Sequence, residues 1–218
     1  MALELKGHTK GRKAAMQVTI PTLRTERLDL VPPHYSHLAT YEALYGSPEV
    51  MRHIAEPIDK QAAARLLAAH AGSWVLHGFG GWCVEERATR AVIGIAGLKR
   101  LEQGEDVEVG WIIEPSAWGR GYATEAAREV IQYAFEQIGA LRAVAHIAPE
   151  NAGSIAVARK LGMQLEQEAA VGTALVFVRN RELALEAYPH CQDPTLPENR
   201  PCSTTNSSRP TSHRIGPN

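Results

Sequence analysis

Cysteine is scarce. Only Cys83, Cys191 and Cys202 occur among 218 residues, too few and too scattered for a disulfide framework or a zinc site. An excess of charge of one sign is missing as well. The 24 Asp+Glu balance 23 Lys+Arg to a formal net charge of −1. That balance leaves no electrostatic footprint for bulk nucleic-acid binding and no polybasic case for a membrane surface. No apolar run approaches the roughly 20 residues of a membrane-spanning helix. The opening MALELKGHTKGRKAAM carries Lys6, Lys10, Arg12 and Lys13 but no apolar h-region, so it does not read as a secretory signal. These absences together point to a soluble, cytoplasmic chain with no nucleic acid and no membrane among its partners. Apolar content is what the chain does have. Hydrophobic residues make up 44%, ample for one packed domain at this length.

The ends differ from the middle. Pro189 to Asn218 holds six of the 13 prolines, with many Ser, Thr and Asn and few apolar residues. Such a segment buries too little surface to offset its ordering entropy, so residues 189–218 are expected to form a disordered tail. Residues 1–21 read as a loose basic lead-in, with Met16 a candidate alternative start. A single domain is expected over 22–188.

Within it, Arg27–Val31 alternates apolar and polar residues and predicts a strand stopped by Pro32-Pro33. Helical spacing follows over Tyr35–Leu44 and Lys60–Trp74. Strands are expected over Trp82–Glu85, Ala91–Leu98 and Asp106–Ile113. A helix over Thr124–Ile138, a strand over Leu141–Ala148, a helix over Asn151–Leu161 and a strand over Leu175–Asn180 complete the chain. The fold class is α/β, one mixed sheet carrying helices.

The most informative segment is Pro115 to Ala126, PSAWGRGYATEA, between a strand and an amphipathic helix. The first turn of a helix has unpaired N–H groups and a positive dipole end. Glycines there let the backbone approach a phosphate closely, and Arg120 is placed to add a charge-assisted contact. Glu125 opposes an anion unless its side chain turns aside. A tight strand-to-helix turn that binds nothing explains the glycines equally well. A P-loop, GxxxxGK[ST], is absent, and Gly119-Arg120-Gly121 supplies only the first two glycines of a dinucleotide fingerprint.

PSAWGRGYATEA resembles the acetyl-CoA pyrophosphate loop of the GCN5-related N-acetyltransferases (GNAT), most closely the branch of the ribosomal-protein alanine acetyltransferases. The general loop reads [QR]xxGx[GA]; here Trp118 takes the Gln/Arg place, Gly121 the glycine and Ala123 the last small residue. Trp118 departs from the general pattern and keeps the backbone role while removing a side-chain phosphate contact. A second block, Asn151 to Met163, resembles the family's NxxSxxxxxKxGF, with Met163 in the aromatic place. Its residues also suit an N-cap, a basic helix end and a C′ glycine. LRTERLDLVPP at Leu23–Pro33 is similar to the opening strand of this branch.

The resemblance implies the acetyltransferase fold, with two central strands, Asp106–Ile113 and Leu141–Ala148, splayed to admit the pantetheine arm. It implies acetyl-CoA as co-substrate, no metal, and direct transfer to an amine acceptor. The cofactor residues it implies are Ile112, Ile113, Trp118, Gly119, Arg120, Gly121, Tyr122, Ala123, Thr124, Asn151 and Lys160. A backbone N–H at Ile112 or Ile113 matches the donor to the thioester oxygen. The catalytic candidates are Glu108 and Ser154. Glu108 lies in VEVGW and, by period-two alternation, opposite Val107, Val109 and Trp111, facing a groove or solvent. It is expected to accept the amine proton, directly or through water. Ser154 replaces the tyrosine that many relatives use near the leaving thiolate. At pH 7, freeing an α-amine of its proton costs about 1–1.4 kcal/mol against about 4.6 for a lysine side chain. The branch favours a peptide or protein N-terminus; a small amine, amino acid or antibiotic and a non-catalytic acyl-CoA-binding module are the alternatives. A monomer or homodimer is expected. His34 and His37 lack a cluster for metal binding, His146 is either a cleft residue or a satisfied sheet histidine, and Cys83 is expected to be buried.

Overall fold

The computed structural model describes residues 18–101, 106–167 and 174–181. Residues 1–17 of the lead-in, the end of the expected domain from 182, and the whole expected tail, with Cys191 and Cys202, lie outside the described residues.

The strands are β1 (Leu23–Arg24), β2 (Leu28–Val31), β3 (Gly81–Glu86), β4 (Val92–Arg100), β5 (Val107–Ile113), β6 (Arg142–Ile147), β7 (Gln164–Gln167) and β8 (Leu175–Asn180). The helices are α1 (Leu38–Tyr45), α2 (Pro48–Met51), α3 (Lys60–His77), α4 (Tyr122–Tyr133) and α5 (Ala152–Lys160). The sheet runs β1-β2-β3-β4-β5-β6-β8-β7. Every pairing is antiparallel except β5 with β6.

Local chemistry sets the ends of the helices. Asp59 Oδ1 accepts from Ala62 N at 2.7 Å and starts α3. Gly78, at φ 76°, ends it in the left-handed region, where glycine carries no Cβ penalty. The expected helix over Thr124–Ile138 begins two residues earlier, as α4, and Ala134–Ile138 continue it as a π-helical turn closed by Gly139. The short β1, α2 and β7 were not expected: segments of four residues or fewer carry too little periodicity to register.

Two apolar layers flank the sheet. One joins α4 and α5 to Leu28, Leu30, Trp82, Val107, Val109 and Ile113. There Trp82 stacks edge-on against both Trp74 and Tyr133 at 4.7 and 5.1 Å. Ile20 packs against this layer, and Pro21 O accepts from Trp82 Nε1 at 2.8 Å. The other layer seats α1 and α3 on Cys83 and Ile95 through Tyr41, Leu44, Ala63 and Leu67. The 3-10 turn over Tyr35–His37 carries His34 as its cap, with His37 Nδ1 accepting from His34 N at 3.1 Å. Both histidines thus serve the start of α1.

Candidate active site

The site begins where two strands part. β5 and β6 are paired only through Val107↔Ala143 and Glu108↔Val144. Beyond that point β5 continues to Ile113 against β4 alone, and β6 to Ile147 against β8 alone. A gap therefore opens in the middle of the sheet, between the two strands expected to splay.

Backbone alternation shows which amides face it. Glu114 N donates to Ile93 O at 2.8 Å. In an antiparallel ladder successive residues turn their N–H and C=O groups to opposite sides. Ile112 therefore turns its N–H to β4, whereas Ile113 and Trp111 turn theirs to the gap. Of the two amides expected at the thioester oxygen, Ile113 N–H faces the gap and Ile112 N–H does not; Trp111 N–H, which the sequence reading did not name, faces the gap as well.

At the far end of β5 the chain makes a 3-10 turn over Pro115–Ala117 and enters the glycine loop. Gly119 and Gly121 have φ of 72° and 82°, and a Cβ on Gly119 would meet nothing within 4 Å. The first turn of α4 has no side-chain cap, so the N–H groups of Tyr122, Ala123 and Thr124 keep their donor capacity for a ligand. These features fit a pyrophosphate held by backbone alone. Trp118 is a strut rather than a phosphate ligand: its Nε1 donates to Ile113 O at 2.6 Å and ties the loop to the end of β5.

Behind the loop the side chains are committed to one another. Glu125 accepts from Thr25 Oγ1 at 2.6 Å, Arg27 N at 2.9 Å and Arg27 Nε at 2.7 Å. Burial pushes its carboxyl up, but these bonds win and hold it below the usual carboxylate range. Glu125 thus turns aside, and its charge is compensated before an anion arrives. The Tyr122 ring lies between the Arg27 and Arg120 guanidiniums at 4.5 and 4.7 Å. Its hydroxyl donates to Glu86, which also accepts from Arg120 Nη2 and Thr89 Oγ1, each at 2.8 Å. The Tyr122 hydroxyl first, then Thr89 and Arg120, hold the Glu86 carboxyl below its ordinary value against the opposing effect of burial. Two expectations change accordingly. The Arg120 charge is engaged by Glu86, and buried Tyr122 offers a ligand only its backbone.

On the Glu108 side of the sheet lies a cleft of about 1220 Å³. Its floor is a row of cross-strand glycines, Gly81↔Gly97 and Gly97↔Gly110, on the face that carries Glu108. A Cβ on Gly97 would stand 2.4 Å from Gly81 Cα, whereas one on Gly110 would meet nothing within 4 Å. Glycines inside strands mark a close approach, so this floor was readable in principle. His70, from α3, overhangs Gly81. Its Nδ1 is 2.8 Å from Tyr41 Oη, and burial pulls its pKa down to about 4, so it is neutral at pH 7. Cys83, fully buried in the layer beside Tyr41, has its thiol pushed up to about 12 by burial and is inert as a nucleophile.

Glu108 faces the cleft, as alternation predicts, with Val107 and Val109 buried behind it. Its Oε1 is 3.0 Å from His146 Nδ1 and its Oε2 is 3.6 Å from Lys99 Nζ. His146 is therefore a cleft residue rather than a satisfied sheet histidine. Asn151 and Ser154, at the start of α5, line the same cleft, and Asn151 Oδ1 caps the helix by accepting from Ser154 N at 3.0 Å. Lys160 does not line this cleft. It is exposed at the other end of α5, on the order of 12 Å along the axis from Ala152. No cluster of three or more His, Cys, Asp or Glu able to hold a metal stands among the described residues, and no described helix is long and apolar enough to cross a membrane.

Known proteins share this architecture. The acetyltransferase (GNAT) domain family matches residues 27–164. The FsC-acetyl coenzyme A-N(2)-transacetylase of Aspergillus fumigatus is 31% identical over 159 residues, 66% of this chain, and the match spans 65% of that relative's length. A solved acetyltransferase from Agrobacterium tumefaciens superposes with a TM-score of 0.68 at 29% identity, over 77% of this chain and 98% of the other. The fold is shared by RimL, a ribosomal L7/L12 α-N-protein acetyltransferase solved with coenzyme A, at a TM-score of 0.63 and 15% identity over 73% of this chain and 98% of the other. The chain belongs to the GNAT family of acetyltransferases.

Proposed function

We propose that this protein transfers an acetyl group from acetyl-CoA to a primary amine, and that the amine is the α-amine of a peptide or protein N-terminus. The observation that carries the reading is the gap between β5 and β6, with an uncapped helix N-terminus at one end and a carboxylate at the other. The backbone of Gly119 to Thr124 holds the pyrophosphate. Ile113 N–H and Trp111 N–H point into the gap and stabilise negative charge on the thioester oxygen as the amine adds. Glu108 supplies the charge toward which the ammonium gives up its proton. Ser154, in the cleft at the start of α5, is the hydroxyl we assign to the departing thiolate. Asn151 keeps its amide N–H₂ for the pantetheine arm, since its oxygen is used in the cap.

A cleft whose acidic group is paired with a histidine and a lysine suits an acceptor that needs only mild deprotonation, which favours an α-amine over a lysine side chain. One observation favours a second reading, a small-molecule amine. The Aspergillus relative is named for transfer to an N(2) nitrogen of FsC. Action in the cytoplasm, as a monomer or homodimer, belongs to the same proposal.

Thiol release from acetyl-CoA tests it. The acceptors are peptides with free α-amines, Nα-blocked lysine peptides and small diamines. Turnover confined to the free α-amine peptides is expected. Faster turnover of the diamines would hand the assignment to the small-molecule reading. Saturable acetyl-CoA binding without thiol release from any of them would make the protein an acyl-CoA-binding module.

A further inference from the structure

The geometry points to His146, and not Glu108 itself, as the group that takes the proton from the acceptor amine, with Glu108 positioning it. This rests on the acetyl-transfer reading above and names the atom that performs its first step.

Glu108 is the last residue of β5 still paired with β6, opposite Val144. His146 lies two residues beyond Val144, so it shares the Glu108 face and stands where the strands have begun to part. The 3.0 Å contact between His146 Nδ1 and Glu108 Oε1 crosses the gap beside its apex. The second carboxylate oxygen is turned to Lys99 Nζ at 3.6 Å. Both oxygens are thus engaged. A carboxylate can only accept, so the neutral imidazole must carry its hydrogen on Nδ1 and its lone pair on Nε2. Among the described residues Nε2 has no hydrogen-bond partner. The imidazole is also the more exposed of the two, at 38% against 22% for the Glu108 side chain. The open lone pair in the cleft is therefore on His146. Charged and titratable groups reach this cleft from every side: Lys99 on β4, Glu108 on β5, Glu150 after β6, His70 on α3, and Tyr45 and His53 from α1 and the segment after α2. The β8 neighbour of His146 is the uncharged Val176.

The step balances as follows. The acceptor ammonium gives one proton to Nε2, which forms an imidazolium held by Glu108 and later returns the proton to water. The freed pair on nitrogen forms the C–N bond at the thioester carbonyl carbon, and the carbonyl pair moves to oxygen, facing Ile113 N–H and Trp111 N–H. The oxygen pair then re-forms the C=O bond as the C–S bond breaks, and the C–S pair leaves on sulfur. The second nitrogen proton ends on that sulfur. The sum is ammonium plus thioester giving amide, thiol and one released proton. An imidazole suits this task at an α-amine, because imidazoles ordinarily titrate near 6.5 and α-amines near 7.7–8.0, whereas carboxylates near 4.3 are much weaker bases.

Two measurements on the full chain test the assignment. The first needs no acceptor. Long-range ¹H–¹⁵N correlation of the imidazoles, with His146→Gln identifying the signal, is expected to show hydrogen on Nδ1 at neutral pH, with the preference collapsing in Glu108→Gln. Hydrogen on Nε2 in the unsubstituted protein would overturn the proposal. The second is kinetic, with acetyl-CoA and an alanine-initiated peptide. His146→Ala is expected to lower kcat by about 10²–10⁴, to leave acetyl-CoA stabilisation of the fold intact, and to regain activity with added imidazole. A His146→Ala rate within threefold of the unsubstituted enzyme, beside a Glu108→Ala rate lowered by about 10²–10⁴, would assign proton transfer to Glu108 and overturn the proposal. Failure of the broader reading looks different: the unsubstituted protein would neither be stabilised by acetyl-CoA nor release thiol.

Discussion

The two ends of the β5–β6 gap are built by opposite means. At the loop end the groups left open are the backbone amides of the first turn of α4, and the neighbouring charges pair with one another, Arg27 with Glu125 and Arg120 with Glu86. Glu125 is bound by Thr25 and Arg27, and Arg120 and Tyr122 by Glu86. At the cleft end the backbone contributes an almost bare glycine floor, and side chains from four elements line it: Glu108, His146, Lys99 and His70. The first end suits a ligand that never changes. The second has room for change at Gly110, where a Cβ would meet nothing within 4 Å. One end therefore reads as cofactor recognition and the other as acceptor choice.

The contrast can be broken most sharply at Gly121. Its φ of 82° lies in the left-handed region, where a side chain costs about 1–2 kcal/mol, and a branched Cβ would crowd the phosphate approach. Gly121→Val is expected to raise KM for acetyl-CoA by about 100-fold or more, the equivalent of roughly 2.7 kcal/mol, as read in a thiol-release assay. Gly110 sharpens the same comparison from the other end. A Cβ there meets open cleft, so Gly110→Val should fold normally and bind acetyl-CoA with unchanged affinity. Its acceptor KM should rise about 10–100-fold, as expected for 1–3 kcal/mol of overpacking. A Gly110→Val enzyme with unchanged acceptor kinetics would show that the glycine floor is not where the amine lies.

Next in size is Glu86. Its carboxyl is held below its ordinary 4.5 chiefly by the Tyr122 hydroxyl. A carboxyl depressed in the folded state adds stability that is present above 4.5 and is lost as the pH falls through the lower, folded value. Glu86→Gln should therefore lower the melting temperature at pH 7, and the difference from the unsubstituted protein should shrink once the pH drops below 4.5. A pH-independent difference would mean that the buttress is steric and not ionic. The smallest effect is expected at Trp118. Trp118→Phe removes one hydrogen bond to Ile113 O, worth about 1 kcal/mol, so a roughly fivefold rise in KM for acetyl-CoA is the expected reading.

What could be read in the sequence follows the same division. The loop was legible because backbone recognition needs particular residue types, and PSAWGRGYATEA displays them in order. The gap strands were legible to within a residue or two, because half-buried strands alternate and the following helix keeps one apolar face. Glu108 was placed by the same alternation. That the side chains of Arg120 and Tyr122 are engaged was not legible, because their partner, Glu86, lies 34 and 36 residues away in sequence, and no local pattern announces such a pairing. His146 stayed ambiguous for the same reason: its role depends on the β5–β6 register, fixed by only two pairs of residues. Lys160 suited a motif as a type of residue, but the length of α5 carries it away from the cleft.

The central claim is that the gap between β5 and β6 receives acetyl-CoA, with the first turn of α4 on its pyrophosphate. The most direct test is a calorimetric titration of the unsubstituted protein with acetyl-CoA, run beside Gly121→Val and Gly110→Val. The account expects saturable one-site binding that Gly121→Val abolishes and Gly110→Val leaves unchanged. No binding at millimolar acetyl-CoA, or equal binding by Gly121→Val, would contradict it.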